Sequence, residues 1–136
     1  MTANHRKKTN GNEKHRLFKV LDCMSSLLVR DYETALKRLK RYREWEEKDW
    51  RETKFYEGIA DSIEGIARAD KPLFLKGLNR VLEIFKRRNS QLKDIPICTD
   101  AVTLFILARE RGLDISLDDL PEKLRMFIPR VLVEEG

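Results

Sequence analysis

Apolar side chains recur at the spacing of an α-helix in one segment of the chain after another. The clearest case is a central segment in which Ile59, Ile63 and Ile66 fall on one face. Residues three and four positions apart lie on the same side of a helix, so this spacing is typical of an amphipathic helix. The whole chain has only six glycines and four prolines, few for a fold with many short strands and turns. The sequence therefore predicts an all-α fold.

The length of the chain and a weak internal repeat limit this fold further. A chain of 136 residues favours one domain, and we expect residues 14–136 to form a single compact bundle of five to six helices. When Asp31 is aligned with Asp70, apolar side chains fall on one another in the segments that follow, with a period near 40 residues. The bundle is therefore expected to consist of two stacked helical hairpins, with the last segment of the chain as a C-terminal lid.

Polar residues and prolines mark the expected helix ends. Ser, Thr, Asp and Asn accept hydrogen bonds from the free amides of a first turn, whereas glycine adopts the left-handed conformation that stops a helix. The expected positions are N-caps at Asp31 and Asp70, Pro72 in a first turn, Thr99 or Asp100 as the cap of the fifth helix, Gly112 as its stop, and Asp118 or Asp119 as the cap of a short sixth helix.

The third helix carries a second stripe, which consists only of small residues: Gly58, Ser62, Gly65 and Ala69. A glycine inside a helix costs about 1 kcal/mol relative to alanine. Two glycines on one stripe therefore predict that another helix packs against this face at short distance.

The net charge of +5 is concentrated at the N-terminus. Residues 1–16 contain five Lys and Arg residues and one acid, which leaves a net charge of only +1 for the rest of the chain. We interpret residues 1–13 as a disordered basic arm, too polar for a signal peptide or a membrane anchor. Because no secretory signal is evident, Cys23 and Cys98 are expected to be buried thiols of a cytoplasmic protein.

Few residues occur in the spacings that catalysis or metal binding requires. The only two histidines lie in or beside the basic arm, so a histidine base in a formed pocket is not expected. Glu57, Asp61 and Glu64 share one face of the third helix and could hold a cation, but Arg68 favours an ion-paired surface. We expect no catalytic residue, no cofactor, no metal ion and no enzymatic activity.

Three groups of side chains are candidates for binding a partner. The basic run Lys37–Arg43, with Tyr42, has the cations and the ring that contact phosphates and bases, although a solvated helix face is the alternative. Two tryptophans either cap the core or anchor an interface. A cluster of acids after the fifth helix either meets a basic partner or caps helices. The residues chosen from these groups are Arg41, Trp45, Trp50, Asp114, Asp118 and Asp119.

Three motifs in the C-terminal two-thirds of the chain resemble those of a known family. They are Asp70-Lys71-Pro72-x-Phe74-x-x-x-Leu78, Leu107-Ala108-Arg109-x-Arg111-Gly112-Leu113-x-Ile115 and Ile128-Pro129-x-x-Leu132. In this order, over roughly residues 31–133, the chain resembles the immunity protein 49 family. Its members are helical proteins that protect bacteria from a polymorphic toxin.

The resemblance implies a stoichiometric inhibitor that binds a toxin domain and blocks it, and it carries over no catalytic or contact residues. Two other functions stay open. The chain could be a small nucleic-acid-binding or regulatory protein that uses the basic arm and Lys37–Arg43, or a helical adaptor subunit. The oligomeric state is left open as well.

Overall fold

The computed structural model describes residues 20–44 and 50–133, and in these ranges the chain is an all-α bundle with no strand. The helices are α1 (20–28), α2 (Tyr32–Glu44), α3 (Trp50–Ala67), α4 (Lys71–Arg88), α5 (Thr99–Arg111), α6 (Glu122–Arg125) and α7 (Arg130–Val133), with a 3-10 turn at Leu117–Asp119. The expected arm, residues 1–13, lies outside the described residues. None of the helices in the described ranges is both long and apolar enough to cross a membrane. The predicted fold class is confirmed.

The turns before α2 and α4 have the same backbone conformation, 39 positions apart. Arg30 and Ala69 adopt left-handed φ angles of 61° and 55°. The amides of the residues that follow, Asp31 and Asp70, each donate to a carbonyl five positions earlier, at 2.9 and 2.7 Å. This pattern satisfies carbonyls that the end of a helix leaves unpaired.

Both aspartates are N-caps, as predicted. The Oδ1 atom of Asp31 accepts a hydrogen bond from the amide of Thr34, and that of Asp70 accepts one from the amide of Leu73, both at 3.2 Å. Each cap satisfies one of the four amides that have no partner within a helix. The weak sequence repeat is therefore visible in the structure as a repeated turn.

Helix α5 ends on the same backbone pattern, but no long helix follows. Gly112 has a φ of 100°, and the amide of Leu113 donates to the carbonyl of Ala108 at 3.1 Å. An apolar residue stands here in place of the capping aspartate. The chain continues as a loop to the 3-10 turn and the two single-turn helices of the C-terminal lid.

Helices α3 and α4 approach each other closely along the small-residue stripe. A Cβ atom on Gly65 would lie 2.4 Å from the backbone nitrogen of Phe74, and one on Gly77 would lie 2.5 Å from the carbonyl oxygen of Gly58. Ser62 is fully buried, and its hydroxyl donates to the carbonyl of Gly58 at 2.9 Å. The predicted close packing is confirmed.

Ala69 does not take part in this contact. It lies beyond the end of α3, exposed and in the left-handed turn, so the small-residue stripe ends at Gly65. The prediction extended the helical spacing past the residue at which the helix stops.

The C-terminal lid packs on the bundle through large apolar side chains. The buried ones include Leu117, Leu120, Leu124, Phe127 and Ile128. The ring of Phe127 meets the ring of Phe85 edge to face, with centroids 5.4 Å apart. The amide of Cys98, just before α5, donates to the carbonyl of Phe127 at 2.9 Å, so the lid also holds the entry to α5.

Two of the expected caps are wrong. Helix α5 begins one or two residues earlier than expected, after Cys98, which caps it without a side-chain hydrogen bond. Neither Asp118 nor Asp119 caps α6, because both belong to the 3-10 turn. There the hydroxyl of Ser116 accepts from the amide of Asp118, while the carboxylate of Asp119 accepts from the amide of Ser116.

The side chain of Arg111 joins the ends of three helices. Its guanidinium carbon lies 4.0 Å from the centre of the Tyr32 ring, at the start of α2. The same guanidinium donates to the carbonyls of Ile66 and Ala67, at the end of α3, over 3.2 and 3.4 Å. A cation suits this position because unpaired carbonyls make the end of a helix negative.

Candidate functional site: the groove between α2 and α3

A groove of about 460 Å³ lies between α2 and α3. Its lining consists of two leucines, four basic residues and one acidic residue: Leu36, Lys37, Leu39, Lys40, Arg43, Glu64 and Arg68. Leu39 is buried and Leu36 is half-buried, so these side chains give the groove an apolar floor. The charged lining residues give it a net charge of +3.

The basic side chains of Lys37–Arg43, on α2, lie in different environments. Arg38 turns toward α1, where its guanidinium donates to the carbonyl of Asp22 and to the hydroxyl of Ser26, both at 3.0 Å. Lys37 and Lys40 are exposed at the groove, and neither forms an ion pair with a carboxylate in the described part of the chain. These two lysines are therefore the cations of the run that are available to a partner in the groove.

The α3 side of the groove is a chain of ion pairs. The Nη2 atom of Arg43 lies 2.8 Å from Oδ1 of Asp61 and 3.2 Å from Oε1 of Glu64. The other oxygen of Glu64, Oε2, lies 3.2 Å from Nε of Arg68. Glu64 therefore binds two arginines, one through each carboxylate oxygen.

The carboxylates considered as a cation site are paired with arginines. In addition to the pairs of Asp61 and Glu64, Glu57 lies 3.0 Å from Nη1 of Arg80 on α4. This arrangement agrees with the ion-paired surface that Arg68 indicates in the sequence. Among the described residues, no group of three or more His, Cys, Asp or Glu residues is placed to hold a metal ion.

Tyr42 is not available to stack on a base. Its side chain is buried, with 8% of its surface exposed, and it belongs to the hydrophobic core. The interpretation of Lys37–Arg43 as a nucleic-acid surface included this ring, and on that point it is wrong. The helical period explains the difference, because Ala35, Leu39 and Tyr42 fall on the buried face of α2.

None of the chosen partner contacts whose side chains the structure describes lines the groove. Arg41 is exposed on α2, and Asp114 is exposed in the loop after α5. Trp45 lies outside the described residues, and Trp50 begins the described backbone of α3 while its side chain lies outside the description. The sequence indicates the run that contains Lys37 and Lys40, but it carries no signal for how these two lysines differ from their neighbours.

Asp118 and Asp119 are largely engaged by basic side chains. The carboxylate of Asp118 lies 3.8 Å from Arg125 and 3.7 Å from Arg130. That of Asp119 lies 3.4 Å from Nζ of Lys71, in addition to its capping bond. Asp118 therefore pairs within the lid, whereas Asp119 joins the lid to α4.

Both cysteines are free and buried, as expected. Burial raises the pKa of the Cys23 thiol to about 11, and the neighbouring Asp22 adds to the increase. Burial also raises the pKa of the Cys98 thiol to about 11. Both groups are therefore protonated at neutral pH and are weak nucleophiles.

The residues that carry the family resemblance build the fold. Phe74, Leu78 and Ala108 are fully buried, Gly112 stops α5, and Arg111 joins three helix ends. None of these residues lines the groove. Comparisons of the chain with models of protein families, with curated proteins and with solved structures find no match.

Proposed function

We propose that this protein is an immunity-type inhibitor, which binds a cognate bacterial toxin domain in a stoichiometric complex and neutralises it. The observation that carries the proposal is the groove between α2 and α3, where two exposed lysines that pair with no described carboxylate flank an apolar floor. Protein interfaces combine a buried apolar centre with a polar rim, and complementary charge orients the partners. The resemblance over residues 31–133 supports a toxin domain as the class of partner.

In this proposal, inhibition requires no chemistry from the chain itself. A protein that covers the active site of a toxin, or holds the toxin in an inactive conformation, blocks it with one molecule per toxin. Helix α3, which forms one wall of the groove, is packed backbone to backbone against α4. The α3 wall of the groove therefore loses little backbone entropy on binding, which favours a tight complex. We place this action in the cytoplasm, where the inhibitor would meet a toxin that enters the cell or is made there.

The test is coexpression of the chain with the toxin domain encoded beside its own gene. We expect the host to survive, and the two proteins to elute from a sizing column as one complex with equal amounts of each. A host that dies although the chain is present and folded, together with no complex, would contradict the proposal. Binding to DNA or RNA that weakens steeply with salt, without toxin binding, would instead support the nucleic-acid alternative.

A further inference from the structure

We infer that the groove between α2 and α3 receives an acidic, partly apolar polypeptide segment of the partner, and that Glu64 competes with the carboxylates of this segment. The inference rests on the proposed function, because it names the chemistry of the surface that the partner presents. It depends on the arrangement of charges around the groove and on the leucines at its floor.

The cations of the groove fall into two kinds. Lys37 and Lys40 are exposed and form no ion pair with a described carboxylate, so their charges are available to a ligand. Arg43 and Arg68 are both bound by Glu64, which takes the place that a carboxylate of a ligand would occupy. A partner that brings acidic side chains pairs first with the lysines and then competes with Glu64 for the arginines.

The rest of the lining favours a polypeptide over a nucleic acid. Leu36 and Leu39 offer an apolar floor, which an apolar side chain covers better than a sugar–phosphate backbone does. Tyr42, the aromatic residue of the basic run, is buried and cannot stack on a base. An acidic amphipathic segment can contact the leucines with its apolar side chains and pair with the lysines through its carboxylates. Amphipathic segments commonly bind in grooves between helices.

The first experiment measures binding of a labelled amphipathic peptide built from leucine and glutamate. A peptide with lysine in place of glutamate and a poly-dT oligonucleotide serve as the comparison probes. We expect the acidic peptide to bind the wild-type chain more tightly than either. The double variant Lys37→Glu/Lys40→Glu should weaken its binding by about tenfold or more, since two attractive contacts become repulsive. Glu64→Gln should strengthen binding about threefold, because it releases Arg68 and leaves Arg43 with one carboxylate, that of Asp61, instead of two.

The matched control is the double variant Lys54→Glu/Lys76→Glu. It makes the same change in net charge at exposed positions outside the groove, on α3 and α4. Binding by the control should remain within about twofold of wild type at physiological salt, which screens distant charges. Circular dichroism and thermal melting of each variant establish that it is folded. Equal losses in the groove variant and the control would overturn the inference, as would tighter binding of poly-dT or of the lysine peptide.

The second experiment separates this inference from the proposed function. In the coexpression assay, Lys37→Glu/Lys40→Glu should lose protection, whereas Lys54→Glu/Lys76→Glu should keep it. Protection and toxin binding that the groove variant retains in full would overturn the inference and leave the proposed function intact. Acidic-peptide binding that depends on the groove, in a chain that binds no toxin, would support the chemistry of the groove and overturn the proposed function.

Discussion

Helix α3 contacts its two neighbours in different ways. Toward α4 it presents Gly58, Ser62 and Gly65, so that the two backbones meet with almost nothing between them. Toward α2 it presents Asp61 and Glu64, which pair with the long side chain of Arg43. One helix therefore forms a close contact through small residues on one side and a contact edged by ion pairs on the other.

The difference shows how the groove arises. The distance between two packed helices depends on the side chains at their contact, and long side chains hold the axes further apart than glycine does. The contact of α3 with α4 makes a rigid frame. Its contact with α2 leaves the space in which Leu36, Lys37 and Lys40 are accessible. Substitutions on the two sides of α3 should consequently change the free energy of unfolding by different amounts and for different physical reasons.

The largest effect is expected from Gly65→Ala, which breaks the close contact. The added Cβ would lie 2.4 Å from the nitrogen and 2.6 Å from the Cα of Phe74, and backbone atoms cannot move aside alone. We expect a loss of about 3 kcal/mol in the free energy of unfolding, even after the gain in helix propensity. Urea unfolding followed by circular dichroism measures it.

Gly58→Ala is the matched control for this prediction. Its Cβ would lie 3.0 Å from its nearest neighbours, the carbonyl oxygen of Gly77 and a methyl group of Val81, which small shifts can relieve. Its loss should be within about 1 kcal/mol. Equal losses at Gly58 and Gly65 would show that the spacing of α3 and α4 is not set at Gly65.

A smaller effect is expected from the two N-caps, which begin the neighbours of α3. Asp70→Ala should lower the free energy of unfolding by about 1 kcal/mol, and Asp70→Asn, which can still cap, should be close to neutral. Asp31→Ala should also lower the melting temperature. Urea and thermal unfolding measure these changes, and a loss at only one cap would show that the two turns are not equivalent.

The effect of Asp31 should also depend on pH. Hydrogen bonds from the hydroxyl and the amide of Thr34 hold the pKa of its carboxyl below the ordinary value of 3.8. The stabilisation is therefore present above that value and is lost as the pH falls through the pKa of the folded state. The difference in melting temperature between wild type and Asp31→Ala should shrink in acid.

The turns provide a change of the opposite sign. The left-handed conformation at position 69 is unfavourable for alanine and accessible to glycine. Ala69→Gly should therefore raise the free energy of unfolding by up to about 1 kcal/mol. Gly112→Ala makes the reverse change at the end of α5 and should destabilise it by about 1 kcal/mol. Thermal melting of both variants checks the prediction, and a shift of the same sign in both would contradict it.

The smallest effect is expected on the α2 side of α3. Arg43→Gln breaks ion pairs at the surface, where Arg43 is 36% exposed, and should cost less than about 1 kcal/mol. The loss should decrease at high salt, which can be measured by urea unfolding at low and high ionic strength. Arg80→Gln, which breaks the surface pair with Glu57, is the control and should cost a similar amount. A loss as large as that of Gly65→Ala would show that both sides of α3 determine the fold equally.

The helix ends could be predicted from the sequence where their interactions are local. Asp70 caps α4 by accepting a hydrogen bond from an amide only three positions away. Gly112 ends α5 through its own left-handed backbone conformation. The entry to α5 could not be predicted, because the amide of Cys98 is held by Phe127, far along the chain. The left-handed conformation of Ala69 could not be predicted either, since alanine rarely adopts it and no sequence pattern marks it.

The groove could be predicted only in part. The run Lys37–Arg43 is evident in the sequence as a cluster of cations. Its side chains differ in the direction in which they leave α2, and the surroundings that each one meets depend on which helices pack beside α2. The carboxylates that bind Arg43 lie 18 and 21 positions further along the chain. An ion pair of this kind becomes apparent only when α2 and α3 are placed together.

The position of Arg111 has a consequence for how the protein unfolds. Its side chain extends from α5, in the second hairpin (α4 and α5), to Tyr32, in the first hairpin (α2 and α3), and to the carbonyls at the end of α3. If the two hairpins separate, the guanidinium of Arg111 loses the ring of Tyr32, and the carbonyls of Ile66 and Ala67 lose their donor. We therefore expect the halves of the repeat to melt together in a single cooperative transition, despite their separate origins along the chain.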